Sequence, residues 1–202
     1  MTMPCADTAH SISDLKSRRV YEGFRNVDVF TYRDPNNAGE QKRELVTTKS
    51  AIAVLAYDPG LEKLVLVRQF RLGAQLETGK GMTVEVVAGL IEQDEDPATA
   101  VRRELQEETG LTALTVKPLC QFLTTPGLAV ESIQLHFAQV DARDLSDRAG
   151  ATDEMEATFP FLISIDEALA AVDDNSITNG IAILALLWLQ RHRAQLTQEA
   201  VT

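Results

Sequence analysis

Residues 51–57 read AIAVLAY, an almost unbroken apolar run of strand length. After the turn at Asp58, Pro59 and Gly60 the chain returns as KLVLVRQF over residues 63–70. Apolar runs without polar alternation predict strands buried on both faces, as inside a layered sheet. The pattern before them differs. Across residues 19–33 apolar and polar positions alternate, with Val27, Val29 and Thr31 on one side and Asp28 and Phe30 on the other, which predicts strands. DPNNAGE (34–40) reads as a turn and QKRELVTT (41–48) as a returning strand. Residues 1 to about 17 are small and polar and are expected to fray. The opening, residues 1–48, is thus a small β-rich unit ahead of a main domain over residues 49–202.

Within the main domain, GAQLETGKG (73–81) reads as a loop and TVEVVAG (83–89) as a strand. Further strands are predicted in LTVKPLCQFLTT (114–125), in the clean alternation of SIQLHFAQV (132–140) and in FPFLIS (159–164). Residues 142–158 form a long polar stretch, of a length that marks functional or disordered loops. Asp166 is expected to cap the helix EALAAV, and a last helix is predicted over residues 179–193. Its apolar run, residues 181–189, is too short to span a bilayer. Because that run is apolar nearly all round, it reads as core or interface packing. Strands, one acidic helix, more strands and two late helices make a mixed α/β architecture.

The acidic helix carries the candidate chemistry. Residues 89–111 read GLIEQDEDPATAVRRELQEETGL. Pro97 suits a first helical turn and Gly110 a left-handed C-terminal cap. Glu104 and Glu108 are four apart and project from one face, where they repel unless a cation lies between them. Val101 and Leu105 mark the side that meets the core. Two readings stand: a solvated helix with Arg103 paired to Glu107, or a site for a hard divalent metal.

The 202 residues are 45% hydrophobic and 24% charged, enough for a sizeable core. The net charge of -11 argues against partners made of nucleic-acid backbone or anionic membrane. It permits a small anionic substrate, since a bound metal and a few arginines invert the field locally. Cys5 and Cys120 have no paired spacing, and no secretory pattern is visible, so a cytoplasmic protein is expected.

Gly89, Glu95, Arg103-Glu104-Leu105, Glu107-Glu108, Thr109, Gly110 and Leu111 follow the spacing of the Nudix box, and the chain resembles the Nudix hydrolase family in its ADP-ribose or ADP-sugar pyrophosphatase branch. The resemblance implies a Nudix-type α/β/α sandwich with a mixed sheet, preceded by a small β-rich N-terminal subdomain exchanged across a homodimer. It implies Mg2+, with Mn2+ possible, held by Glu104, Glu108 and the Ala88 carbonyl. Glu107 would support the site and Arg103 would lock the helix, while Glu95 would hold the loop or reach a further metal. The general base falls in Asp153-Glu154-Met155-Glu156, with Glu154 in register and Glu156 as the alternate.

For the substrate, Pro126 matches the marker proline of the branch, and Arg71, ending RQFR (68–71), the arginine that grips the diphosphate. Phe24 would stack on adenine, and Arg43 and Glu44 would contact it across the dimer. Glu85 matches another acidic position of the branch. The chain departs from the pattern at Asp94, where members often carry glycine, and after Pro126-Gly127, where LAVE leaves Glu131 as the match. The reaction implied is hydrolysis of ADP-ribose or a related ADP-sugar to AMP and a sugar phosphate. The alternatives are a UDP- or GDP-sugar pyrophosphatase and a non-catalytic module that senses a nucleotide sugar.

Overall fold

Every residue of the apolar run Ala51–Asp58 is buried, and the molecule's main layers form on its two faces. The computed structural model describes residues 5–149 and 157–199. In chain order the elements are β1 (Ser13–Tyr21), β2 (Asn26–Arg33), β3 (Glu40–Thr47), β4 (Ala51–Asp58), β5 (Lys63–Phe70), α1 (Leu72–Thr78), β6 (Met82–Glu85), β7 (Val87–Leu90), α2 (Pro97–Thr109), β8 (Ala113–Phe122), β9 (Ala129–Val130), β10 (Ile133–Val140), β11 (Thr158–Ser164), α3 (Ile165–Asp173) and α4 (Gly180–Glu199). They divide into two compact units, residues 1–48 with 125–131, and residues 49–124 with 132–202.

In the second unit a seven-stranded mixed sheet runs β11-β5-β4-β10-β8, with β6 on β5 and β7 on β4. Side chains alternate across a strand. Ile52, Val54 and Ala56 therefore meet Val65, Val67, Val87 and the inner face of α2 (Ala100, Val101, Leu105). Ala53, Leu55 and Tyr57 point the other way, to Leu64, Leu66, Leu135 and the residues of α3 and α4 such as Ala168, Leu186 and Leu189. Each fully buried Leu, Ile or Val contributes about 1.5–3 kcal/mol, so the double-faced strand is what makes this an α/β/α sandwich. Among the described residues no helix is long and apolar enough to cross a membrane.

The sheet forks where the candidate site lies. β4 and β5 pair only over Ala56–Asp58 and Lys63–Val65. Beyond that, β6 takes up the edge of β5 (Val67↔Glu85 to Phe70↔Met82) and β7 the edge of β4 (Ala51↔Leu90 to Val54↔Val87). Consecutive short strands thus bring Glu85, Ala88 and Gly89 to the opening beside α2.

The first unit is a sheet in the order β1-β2-β3-β9. Asp28 is buried in it, against the expected alternation, because Arg19 (2.7 and 3.2 Å) and the Thr47 hydroxyl satisfy its carboxylate. The Arg19 bond holds that carboxyl below its usual range. Residues 125–131 join this unit through β9 and the bond from the Val46 N–H to the Leu128 carbonyl (2.9 Å).

Four local expectations are corrected. β1 begins at Ser13, inside the segment expected to fray; its residues are all exposed, and the ladder with β2 holds it rather than burial. Residues 72–78 form a helix rather than a loop, closed by Gly79 at φ 73° onto the Gln75 carbonyl. No residue of α1 is buried, so it left no apolar periodicity to read. Ser164, not Asp166, caps α3: its hydroxyl accepts from the Glu167 N–H (3.2 Å) while the Glu167 carboxylate accepts from the Ser164 N–H (3.0 Å), a reciprocal box worth about 1 kcal/mol. Asp166 pairs with Arg193 instead. Phe24 lies in the turn between β1 and β2, not in a strand.

Candidate functional site

Helix α2 starts and stops on local chemistry. Asp96 accepts from the N–H groups of Ala98 (3.0 Å) and Thr99 (3.2 Å), Pro97 occupies the first turn, and Gly110 at φ 73° ends the helix on the Gln106 carbonyl. Its buried side carries Ala100, Val101 and Leu105, and on the same stripe Glu108 follows three residues after Leu105. Glu108 is therefore only 8% exposed, and the reading of a solvated acidic helix does not describe it. Among the described residues its Oε2 is the one buried side-chain oxygen without a hydrogen-bond partner. Burial first, then the charges of Glu104 and Glu85, push its carboxyl well above the carboxylate range; Arg71 and a hydrogen bond from the Ala88 backbone offset this in part.

Glu104 lies directly over Gly89. A Cβ at position 89 would overlap the Glu104 carboxyl group, so the glycine is needed for close approach and not for an unusual backbone angle. The departure at Asp94 has the opposite cause. Asp94 sits at φ 63°, the left-handed region that glycine favours and that aspartate tolerates better than most residues.

Arg103 joins these parts. Its Nε and Nη2 bond both oxygens of Glu95 at 3.0 Å, Nη2 also reaches the Leu90 carbonyl (2.9 Å), and Nη1 reaches Glu104 (2.6 Å) and Glu107 (3.2 Å). One guanidinium thus ties the end of β7, the loop before α2 and two carboxylates of the helix. It holds the Glu95 carboxyl below its usual range, and Glu95 in turn accepts from the Glu92 N–H at 2.9 Å. Glu95 is occupied as a loop clamp.

At the end of β5, Arg71 makes two parallel bonds to Glu85, from Nε (3.0 Å) and Nη2 (2.9 Å), and the Thr83 hydroxyl donates to the same carboxylate at 2.6 Å. Sequence reading placed Arg71 and Glu85 near the box but missed their pairing and Thr83. The alternation of TVEVV is the signal, since Thr83 and Glu85 must share a face.

The donor set suits a hard cation. Among the described residues no group of three or more His, Cys, Asp or Glu side chains gathers as a metal site. Two carboxylates, Glu104 and Glu108, with the backbone of Ala88 beside them, form a partial shell. Mg2+ or Mn2+, which keep waters and take phosphate oxygens, fit such a shell, whereas a structural zinc site needs four protein ligands. The unpartnered Glu108 oxygen, with the Glu104 carboxylate seated close over Gly89, favours a cation here.

The second unit brings together Arg71, Ala88, Arg103, Glu104, Glu107 and Glu108. Phe24, Arg43, Glu44 and Pro126 belong to the first. Phe24 is 88% exposed with the Arg25 guanidinium 5.3 Å from its ring centre, so it is no core residue. Arg43 bonds the Lys42 carbonyl (2.7 Å) and Glu44 pairs with Lys42 (3.7 Å). Pro126 sits in a turn closed by the Leu128 and Ala129 N–H groups on the Thr125 carbonyl, both at 2.8 Å. Glu154 and Glu156 lie outside the described residues. Ala149 and Thr158 exchange two backbone bonds of 3.0 Å, and the Thr158 hydroxyl donates to the Glu108 carbonyl (2.8 Å).

The chain is 30% identical over 201 residues to an ADP-ribose pyrophosphatase of Escherichia coli K12, covering 98% of this chain and 96% of that protein. It is 30% identical over 182 residues to a GDP-mannose pyrophosphatase of Klebsiella pneumoniae, covering 90% and 91%. It is 33% identical over 181 residues to a methanol dehydrogenase activator of Bacillus methanolicus, covering 89% and 93%. Residues 47–180 match the family model of the NUDIX domain. With its box helix, the glycine beneath Glu104 and the arginine clamp all in place, the chain belongs to the Nudix family.

Proposed function

We propose that this Nudix hydrolase splits the diphosphate of ADP-ribose, or of a related ADP-sugar, into AMP and a sugar phosphate with Mg2+, Mn2+ being able to substitute. The chemistry rests on one observation: a buried carboxylate, Glu108, with an unpartnered oxygen beside Glu104 and the Ala88 backbone. The substrate class is supported by similarity to an ADP-ribose pyrophosphatase that runs nearly the full length of both chains.

When bound, the metal would polarise the diphosphate and acidify the attacking water. The residues of the chain bind and orient. Glu104, Glu108 and the Ala88 carbonyl would hold the cation, with Glu107 supporting them and Arg103 fixing the helix against β7. Arg71 would take one phosphate in its planar fork. Phe24, Arg43 and Glu44 are assigned to the adenine and Pro126 to the substrate. From the sequence, Glu154 is assigned the proton of the attacking water, with Glu156 as the alternate. The active form is proposed to be a homodimer in the cytoplasm, with the β-rich unit exchanged between subunits; the edge strand β1, exposed along its whole length, supports an association through that unit.

A second reading keeps the chemistry and changes the nucleotide, and the similarity to a GDP-mannose pyrophosphatase supports it. The purified protein, incubated with Mg2+ and ADP-ribose, ADP-glucose, GDP-mannose and UDP-glucose, should give AMP and ribose 5-phosphate with the highest kcat/KM on ADP-ribose. A preference for GDP-mannose would select the second reading. Binding without turnover of any member of the panel would select a sensing module.

A further inference from the structure

Glu85 is a buried carboxylate beside the box to which the reading above gives no task. It is 6% exposed, at the end of β6. The register of β5 on β6 (Val67↔Glu85, Gln69↔Thr83) sets Thr83 and Glu85 on one face next to the end of β5. There Arg71 is pinned twice. Its N–H donates to the Gly81 carbonyl (2.8 Å), and its guanidinium makes the two parallel bonds to Glu85. The Thr83 hydroxyl donates to the same Glu85 oxygen that accepts from Arg71 Nε (2.6 Å). A long, half-exposed arginine otherwise samples many rotamers, and ordering it upon binding weakens binding. A second buried anion so near Glu108 is tolerated only with a cation against it.

We propose that Glu85 is a positioning residue for the substrate: braced by Thr83, it fixes the plane of the Arg71 guanidinium so that the fork is already set when a nucleoside diphosphate arrives. The inference rests on the proposed diphosphate substrate. The competing account is a staple that merely holds β6 on β5.

The test is a double-mutant cycle on the full-length protein with saturating Mg2+ and ADP-ribose, reading KM, kcat and Tm for the parent, Glu85→Gln, Arg71→Ala and the double variant. Glu85→Gln should raise KM roughly 10-fold with kcat within about threefold of the parent, and Arg71→Ala should raise KM roughly 30- to 100-fold. The double variant should match Arg71→Ala alone, because Glu85 acts only through Arg71. Thr83→Val should raise KM about 2- to 5-fold and Thr83→Ser should restore it, which carries the test if Glu85→Gln fails to fold. An unchanged KM with a lowered Tm, or losses that multiply in the double variant, would overturn the proposal in favour of the staple. A parent that is active with a multiplicative cycle overturns this role alone. A parent without turnover or binding of any nucleotide sugar overturns the substrate reading and this role with it.

Discussion

Replacing Glu108 by Gln tests whether this carboxylate is kept for a cation at the expense of the fold. Glu108 is buried, one oxygen has no partner, and Glu104 and Glu85 lie close enough to disfavour its charge. Its folded pKa is raised, so in the metal-free protein its contribution to stability is fully present below about pH 4.5 and is lost as pH rises through the folded value. Leaving a buried group unpartnered costs about 1–3 kcal/mol, and more when it is charged, so the amide keeps the polar cost and relieves only the charged excess, on the order of 1 kcal/mol or more. At about 2–4 °C per kcal/mol for a chain of this size, the neutral amide should raise the metal-free Tm by at least about 2–4 °C at pH 8. Binding of Mg2+ at a hundred times its Kd should stabilise the parent by about 2.7 kcal/mol, and the variant should lose most of that gain. The assay is thermal unfolding of both proteins at pH 8, in chelator and in millimolar Mg2+, alongside turnover. The variant should be more stable in chelator, insensitive to Mg2+ and inactive. A lower metal-free Tm in Glu108→Gln, or an equal rise with Mg2+ in both proteins, would refute the reasoning.

Three further outcomes are expected. Gly89→Ala should fold with a modest loss of Tm yet lower turnover at least about 10-fold, because the new Cβ displaces the Glu104 carboxylate by a large fraction of an ångström or more; unchanged kcat and metal affinity would count against the site as drawn. Glu154→Gln should lower kcat by roughly 10²- to 10⁴-fold with little change in KM, and Glu156→Gln far less; the reverse ranking would move the base to Glu156. His136, 3% exposed on β10, has its pKa pushed down by burial. Its contribution is fully present above the unfolded value near 6.5 and is lost as pH falls through the depressed folded value, so Tm should drop on acidification below about pH 6.5, and His136→Gln should flatten that part of the profile.

The box helix was legible because its signals are local. Asp96, Pro97 and Gly110 act within one turn of themselves, and the spacing of Glu104 and Glu108 is a property of the helix alone. The buried strands β4 and β5 were equally plain, since an apolar run has only one place to go. Helix α1 leaves no pattern in the sequence because it buries no residue, and Gly79 closes its end while no side chain caps its start. Ser164 and Asp166, two cap-forming residues two positions apart, cannot be ranked from sequence without knowing where the strand ends.

The sequence by itself determined which groups are available and how they are spaced: carboxylates at positions 104, 107 and 108, an arginine at 103, a glycine at 89. What each group does was decided by contacts between residues far apart in the chain. Glu108 becomes a buried carboxyl with an unpartnered oxygen only because its stripe of α2 packs on the sheet beside β7. Glu95 is taken by Arg103 because the loop before α2 folds back onto the helix, and Arg71 by Glu85 because β6 pairs with the far half of β5. Desolvation and ion pairing depend on what surrounds a group in space, and a residue's neighbours along the chain do not reveal that surrounding.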